Sequence, residues 1–524
     1  YRRRHFSTNT APNNSNNKSN TSDTPPDAHI LRLLGQRKLE EIRVFLEQLY
    51  HEQPEKKLTM KSFHSILNRC SLVKGDKQAG IKAEMFLNMM VEFYKANRLD
   101  KPPSLEVFNL AMKAWSGKPN AGQRAEAILD QLDRLKQEGI LSLEINSITY
   151  TAVIRASSTV GDADRAERIF HREVEDFRQN GNESARPDVV TISTLVTAHG
   201  RSRSPECGIN AEKILDRCID LYKEGVILEP PNIYCYSAAI SAYAKLGDAP
   251  RTEALLERSY VDYLKNGNTS ARPDLTCFNA VLNAWAKSKA ENAGQRAEAI
   301  LGRMIKLHME GTLPLLPDAI SYNSTINAYA KQGKAQEAEK VLEKMYSDYK
   351  SGNNYGAKPN QISFSTVMGA WTRSGHENAG QRAEAILNHM ESLHNQNRLD
   401  VRPDTMTYFS VINCWVEMGN VEKAFSVFDR MKMDYIRKGN KTAKPARSIF
   451  SVLLKVLYQK GTKDAGEKAD KLLKEMQEFH IQPDISFMIQ AFRCWEANKD
   501  HPRASSRIRE IKSDLNHLRR KQKE

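Results

Sequence analysis

The sequence is poor in the residues and motifs that build metal clusters, disulfide frameworks and membrane spans. Its seven cysteines are scattered along 524 residues and form no Cys-x-x-Cys pair, so neither a zinc site nor a disulfide framework is expected. An odd number of cysteines fits a reducing interior compartment. No apolar run approaches the roughly 18 residues that a membrane span requires. We therefore predict no metal, no disulfide and no membrane span.

Motifs of common enzyme chemistry are also missing. The chain has no Walker-type glycine loop, no His-Glu-x-x-His and no Gly-x-Ser-x-Gly, and its 13 histidines form no metal-ligand pattern. We therefore expect no catalytic residues, no cofactor and no enzyme activity.

What the sequence does have is length and positive charge. A chain of 524 residues is too long for one compact core, which leaves several domains or a repeat array. Lys and Arg number 78 against 64 Asp and Glu, a net charge of +14. That surplus favours a polyanionic partner, although it also fits plain solubility.

The first residues differ in composition from the rest. Tyr1–Thr8 is rich in Arg, has no acidic residue and does not begin with Met, which resembles the end of a mitochondrial presequence. The following stretch, 11–26, consists mainly of Asn, Ser, Thr and Pro and cannot bury enough apolar surface to fold. We expect residues 1–27 to be a targeting-peptide remnant and a disordered linker.

Internal repetition dominates the remainder. The nonapeptide Ala121–Leu129 recurs identically at Ala293–Leu301 and Ala379–Leu387, and weaker copies contain Gly208 and Gly466. The glycines of this box keep a spacing of 86 residues. A second set of small residues has the same spacing: Ala166, Thr252, Ala338 and Ala424. We expect this set to allow close packing between helices.

Recurring Pro-Asp or Pro-Asn pairs divide the chain into units, because proline disfavours helix in the residue before it and Asp or Asn follows as a capping residue. Ten units result: 60–104, 105–146, 147–188, 189–232, 233–274, 275–318, 319–360, 361–404, 405–446 and 447–484. Each contains two segments of helical periodicity, and strand patterns are missing. Two amphipathic helices per unit bury their apolar stripes only by stacking, which predicts an all-α solenoid. Residues 28–59 should form a capping helix or half repeat, and 485–524 a terminal hairpin and basic tail.

Two polar columns run through these units. The first column follows the opening aromatic residue or Ile of each unit: Asn109, Thr151, Ser193, Ser237, Asn279, Asn323 and Ser365. The closing column ends each unit: Asn146, Asp188, Asn232, Asp274, Asp318, Asn360 and Asp404. Helix capping alone could explain the closing column. It does not explain the first column, because Ser, Thr and Asn are mediocre helix formers inside a helix.

Two further columns accompany them. Nine residues beyond the opening residue lies a basic column: Arg201, Lys245, Lys287, Lys331 and Arg373. Two residues before the opening residue lies an apolar column: Ile148, Val190, Ile320, Ile362 and Met406. A basic stripe can follow a phosphodiester backbone, or it can be an ordinary solvated face. From the pattern alone, the apolar column could be core.

Segments such as Thr149–Ile154 and Ser321–Ile326, in a chain punctuated by Pro-Asp, resemble pentatricopeptide repeats over roughly residues 60–484. The Trp-x-x-Leu-Gly-x-x-Tyr opening of the rival tetratricopeptide repeat is absent. The resemblance implies a right-handed superhelix that binds single-stranded RNA, one base per repeat, with no catalytic C-terminal domain. It implies base readout by the two polar columns and bases sandwiched by the apolar column. The units here, at 38–45 residues, are longer than usual, which puts ideal one-base spacing in question.

The resemblance also implies a target. Ser or Thr in the first column favours purines and Asn favours pyrimidines, while a closing Asp favours G or U and a closing Asn favours A or C. The seven pairs then specify C-G-A-G-U-C-G, with the N-terminus toward the 5′ end. We expect a monomer that acts on organellar transcripts in stability, processing, splicing or translation, in the mitochondrion or alternatively the plastid. RNA-processing or ribosomal proteins are further candidate partners. The competing hypothesis is a peptide-binding helical scaffold, for example one associated with the ribosome.

Overall fold

A computed structural model describes residues 26–72, 75–314 and 316–521, and for the last three of these only the backbone. The predicted targeting remnant and linker therefore lie almost wholly outside the described residues, as do residues 522–524 of the basic tail. The described part of the chain contains 24 α-helices and four 3-10 turns, and its only ladder pairing is an isolated bridge between Leu58 and Leu99.

The helices belong to two compact units. The first unit ends at Arg203 and includes Leu221–Glu229, and the second consists of Ser204–Asp220 and the chain from Pro230 onward. Nine helices lie wholly in the first unit: α1 (Pro26–Gly35), α2 (Leu39–Glu52), α3 (Met60–Leu72), α4 (Ala79–Lys95), α5 (Leu105–Trp115), α6 (Ala121–Gln137), α7 (Ser147–Val160), α8 (Ala163–Arg178) and α9 (Val189–Arg201). Helix α10 (Cys207–Lys223) contributes residues to both units.

The second unit continues the same pattern. Its helices are α11 (Ile233–Leu246), α12 (Ala249–Lys265), α13 (Leu275–Lys287), α14 (Ala293–Met309), α15 (Ala319–Lys331), α16 (Ala335–Lys350), α17 (Gln361–Ser374), α18 (Ala379–Asn395), α19 (Thr405–Glu417), α20 (Val421–Ile436), α21 (Arg447–Lys460), α22 (Ala465–Glu478), α23 (Ile485–Ala497) and α24 (Ala504–Lys521).

Hairpins stack within each unit. Within each compact unit the odd-numbered helices from α3 onward, called first helices below, pack on the first helix of the next hairpin, as α5 does on α7 and α13 on α15. The even-numbered helices are called second helices. Those from α4 to α8 and from α12 to α22 each pack on their own first helix and on the next one, as α14 does on α13 and α15. Each hairpin thus buries its apolar stripes against its neighbours, and the predicted all-α solenoid is confirmed.

The glycine box owes its sequence to this stacking. A Cβ added to Gly294 in α14 would lie 2.2 Å from Cδ1 of Tyr329 in α15, and one added to Gly380 would lie 2.5 Å from Cε3 of Trp415. The Arg of the box stacks on an aromatic ring and pairs with an acid of the preceding second helix, as Arg296 does with Glu253 at 2.5 Å. The box is therefore a helix-packing element.

Every second unit has an ordered insertion between its second helix and its closing residue. Four 3-10 turns lie in these insertions: Glu183–Ala185, Thr269–Ala271, Tyr355–Ala357 and Lys441–Ala443. The asparagine just before each turn is buried, and its Nδ2 donates to a backbone carbonyl beside the preceding unit boundary. These four bonds are all 2.8 Å long: Asn182 to Ile145, Asn268 to Pro231, Asn354 to Pro317 and Asn440 to Pro403. The insertions therefore fasten consecutive unit boundaries together.

The segment before the first predicted unit contains two helices, α1 and α2, where one capping helix was considered. The chain turns between them at Arg37, which adopts a left-handed φ of 61°. Arg98 then donates to the carbonyls of Leu49 and Tyr50 at the end of α2, at 2.8 and 2.9 Å. The Leu49 carbonyl also accepts the backbone N–H of Gln53, whereas Tyr50 is among the last residues of the helix, whose carbonyls lack intrahelical partners.

Candidate nucleic-acid interface

The closing column caps helices. In each of its seven residues the side-chain Oδ1 accepts a backbone N–H from the first turn of the following first helix, at 2.7 Å for Asp188 and 3.0 Å for Asp318. Helix capping by the closing column, one of the explanations that the sequence allows, is therefore observed in the structure. The cap bond uses Oδ1 and does not involve the second polar side-chain atom, which is Oδ2 in Asp and Nδ2 in Asn.

In two repeats the first-column asparagine bonds to the closing residue of the same repeat. Asn279 Nδ2 donates to Asp318 Oδ1 at 3.2 Å, and Asn323 Nδ2 donates to Asn360 Oδ1 at 3.3 Å. Residues about 40 positions apart in the sequence thus form side-by-side pairs. Ser193 belongs to the first compact unit and Asn232 to the second, and each is described within its own unit.

The first-column hydroxyls have local partners. The Oγ atoms of Ser193, Ser237 and Ser365 each donate to a backbone carbonyl three residues earlier, at 2.9 to 3.3 Å. Thr151 is only 6% exposed, and its hydroxyl lies 2.6 Å from that of Thr191. This burial could not be predicted from the sequence, because it depends on the neighbouring helix α9. By contrast, Asn109 Oδ1 is buried without a hydrogen-bond partner.

The apolar column is exposed. Ile148, Val190, Ile320, Ile362 and Met406 have between 46% and 67% of their surface accessible, so they are not core residues. Tyr234 holds the same position in its unit, two residues before Tyr236, and is 69% exposed. Sequence reasoning missed Tyr234, although the spacing would have found it. Large exposed apolar side chains at one recurring position make this column a candidate binding surface.

The basic column lies at the ends of the first helices, and all five residues are exposed. Two of them also bond to the preceding first helix: Arg373 Nε donates to the Ala330 carbonyl at 3.0 Å, and Lys287 Nζ to the Ala244 carbonyl at 3.4 Å. Cations are favourable there because a helix C-terminus carries partial negative charge. Burial of its guanidinium lowers the pKa of Arg373.

Charge is segregated between the two kinds of helix. Six successive first helices, α7 to α17, contain no Asp or Glu, and each contains one Lys or Arg. On the second helices, arginines pair with acids of the preceding hairpin, as Arg172 does with Asp130 at 2.8 Å and Arg430 with Glu391 at 2.6 Å. Many of the arginines on the second helices are thus paired with acids, whereas the first helices α7 to α17 carry cations and no acids.

A groove in the first compact unit gathers residues of several columns. It has a volume of about 390 Å³ and is lined by Asn109, Lys113, Ser116, Ile148, Thr151, Ala152, Arg155, Asp188 and Val190. The predicted readout residues and the exposed apolar residues of two units therefore share one concavity. Lys113 and Arg155 were not selected from the sequence, although both lie five residues beyond an opening aromatic residue.

A larger cavity lies elsewhere in the first unit. It has a volume of about 540 Å³, is bounded by α2, α4 and α6, and has Glu47, Glu84 and Glu92 among its lining residues. Three carboxylates repel phosphate groups, so the smaller groove with Lys113 and Arg155 is the better candidate for a polyanion.

The described residues contain no group of three His, Cys, Asp or Glu side chains that could hold a metal ion. None of the helices in this part of the chain has the length and apolar character of a membrane span. All seven cysteines are buried free thiols.

Comparison with known proteins gives consistent matches. A family model described as PPR repeat matches residues 314–346, and a model described as pentatricopeptide repeat domain matches residues 131–201 and 392–460. A pentatricopeptide repeat-containing protein of Arabidopsis thaliana is 26% identical over 166 residues, which are 32% of this chain and 26% of the relative. A second from the same plant, named as mitochondrial, is 31% identical over 121 residues, 23% of this chain and 16% of the relative.

Solved structures share the fold. The pentatricopeptide repeat protein PPR10 in complex with an 18-nt psaJ RNA element aligns with a TM-score of 0.52 and 18% identity, covering 93% of this chain and 61% of that chain. PPR10 from maize aligns with a TM-score of 0.53 and 17% identity, covering 92% and 63%. The chain thus spans about a quarter of the first curated relative and about three fifths of these structures.

Proposed function

This chain is a pentatricopeptide repeat protein, and from that premise we propose that it binds single-stranded RNA along its first helices. The observation that carries the proposal is the charge pattern of α7 to α17, where one cation per helix meets no acid on the same helix. Exposed apolar side chains recur at the starts of these helices. Cations that follow the backbone and apolar surfaces on which bases stack are what single-strand binding needs.

Base selection is assigned to the paired polar columns. Because the cap bond occupies Oδ1, a closing Asp offers Oδ2 as an acceptor and a closing Asn offers Nδ2 as a donor. An acceptor suits the imino N–H of G or U, and a donor suits the ring nitrogen of A or C. Capping and readout are therefore compatible, since they use different atoms. The proposed target remains C-G-A-G-U-C-G, one base per unit from 105–146 to 361–404.

The biological setting is proposed with it. The ten units of 60–484 form the binding array, and the chain acts as a monomer without catalytic activity. We place it in the mitochondrion, with the plastid as the alternative, in the stability, processing, splicing or translation of a transcript. One matched relative carries mitochondrial in its name.

Selection from random single-stranded RNA at moderate salt tests the proposal. The full chain should enrich RNAs that contain C-G-A-G-U-C-G or a close variant, and binding should weaken as salt rises. Affinity purification in parallel measures stable protein partners. Failure to enrich any RNA motif, together with stable peptide or ribosomal-protein binding, would support the helical scaffold instead.

A further inference from the structure

Three units replace the cation of the basic column with a cation elsewhere, and in one of them, 447–484, that cation (Lys455) is paired with Glu417 at 3.4 Å. In units 105–146 and 147–188 the basic-column positions hold Gly117 and Thr159, which carry no charge. Lys113 and Arg155 occur instead, five residues beyond the opening aromatic residue. The equivalent residues of the next five units are uncharged: Thr197, Ser241, Asn283, Asn327 and Gly369.

The new position lies beside the readout residue. Lys113 follows Asn109 by four residues, and Arg155 follows Thr151 by four, so each pair shares one helix face one turn apart. Four residues correspond to about 6 Å along the axis, whereas the basic column lies eight residues, about 12 Å, from the first column. The cation therefore stands about one helical turn closer to the base-reading edge in these two units.

The surroundings fit an anionic ligand. Lys113 and Arg155 line the 390 Å³ groove, both are exposed, and neither makes a hydrogen bond or ion pair within the described residues. Asp188, which lines the same groove, is outside ion-pair distance of both. In this they differ from Lys287 and Arg373 of the basic column, which also bond to backbone carbonyls. Asn109 Oδ1, buried in the same wall, has no partner.

We propose that Lys113 and Arg155 bind successive backbone phosphates at the 5′ end of the RNA, with a nucleotide held in the groove between them. This inference rests on the proposed function. Arg155 can engage a phosphate through two parallel N–H bonds, while Lys113 acts as a point charge. The exposed Ile148 and Val190 flank the base, on the groove wall that also carries Asn109. The 5′ phosphates are thus bound closer to the bases than those over the basic column.

The test compares two double variants of the full chain. Lys113→Ala with Arg155→Ala removes the proposed contacts, and Lys136→Ala with Arg168→Ala removes two exposed, unpaired cations from the second helices of the same units. Each phosphate contact on a single strand contributes about 0.7 to the slope of log affinity against log salt. Two contacts therefore contribute about 1.4 to this slope, which is about 25-fold in affinity at 0.1 M salt relative to 1 M salt. We expect that loss for the first variant and little change for the control.

Neutral linkages locate the contacts. RNA with methylphosphonate linkages around its first two recognised nucleotides should bind the wild type about 25-fold more weakly than unmodified RNA does. The Lys113→Ala, Arg155→Ala variant should bind the modified and unmodified RNAs with almost equal affinity. Equal losses in both proteins would overturn the inference, as would a first double variant that binds like the control. Gln substitutions at both positions, with circular dichroism, check that the loss is not misfolding. If the wild type binds no single-stranded RNA, the proposed function itself fails.

Discussion

Replacing Gly294 by Ala tests why the glycine box repeats. The new methyl group would lie 2.2 Å from Cδ1 and 2.5 Å from Cε1 of Tyr329, far inside van der Waals contact. That ring is 2% exposed and its hydroxyl donates to Glu298, so it has little freedom to move. Overpacking of this kind costs about 1–3 kcal/mol, and the gain in helix propensity offsets about 0.5–1 kcal/mol. We expect a net loss of about 1–2 kcal/mol.

The same helix supplies the control. Gly302, also in α14, has nothing within 4 Å of an added Cβ, so Gly302→Ala should stabilise the chain by about 0.5–1 kcal/mol through helix propensity alone. Urea unfolding followed by tryptophan fluorescence measures both variants, and hydrogen exchange of the α14 and α15 amides locates the loss. Tyr329→Ala removes the ring atoms that the added methyl group would meet, so Gly294→Ala should cost much less in that background. If Gly294→Ala proves as stable as Gly302→Ala, the close-packing explanation of the box is wrong.

Three further predictions concern recognition and pH. Asp318→Asn should switch the preferred base at one position from U to C, with a mismatch penalty of about 1–3 kcal/mol in competition binding; an unchanged preference with an intact fold would reduce the closing column to caps. Alanine at Lys245, Lys287 and Lys331 should weaken binding to all sequences alike and flatten the salt slope by about 0.7 per lost contact, whereas an unchanged slope would indicate a solvated face. Burial raises the pKa of Glu173 well above its usual range, so the folded chain holds a proton that the unfolded chain releases above about pH 4.3. Unfolding measured from pH 4 to 8 should show the wild type losing stability relative to Glu173→Gln as pH rises, and parallel pH curves would contradict this.

The sequence predicted the features that arise within one helix or between neighbouring residues. The 86-residue spacing of Gly122, Gly294 and Gly380 identified the repeat, and Pro-Asp pairs marked positions where helices begin. Capping by Asp188 or Asp318 reaches only three residues along the chain, so the residue type alone indicated it. The fold class followed, because two amphipathic helices per unit have no other way to bury their apolar stripes.

Contacts between hairpins were decided by the tertiary structure. Thr151 reads as a polar residue on a helix, yet Thr191 of the next hairpin buries it. Ile320 reads equally well as core, yet it is 59% exposed because no neighbouring helix covers that edge. That Lys113 and Arg155 line one groove depends on the packing of α5, α7 and α9, which the sequence does not show.

The physical reason is the range over which each interaction acts. Helix periodicity and capping depend on residues three or four positions apart, so by itself the sequence determined the repeat, the two-helix unit and the positions of the polar columns. Burial and charge pairing depend on side chains about 40 residues away, on the adjacent hairpin. Which columns face solvent, which cations are neutralised and where a groove opens were therefore decided only by the stacking of the folded chain.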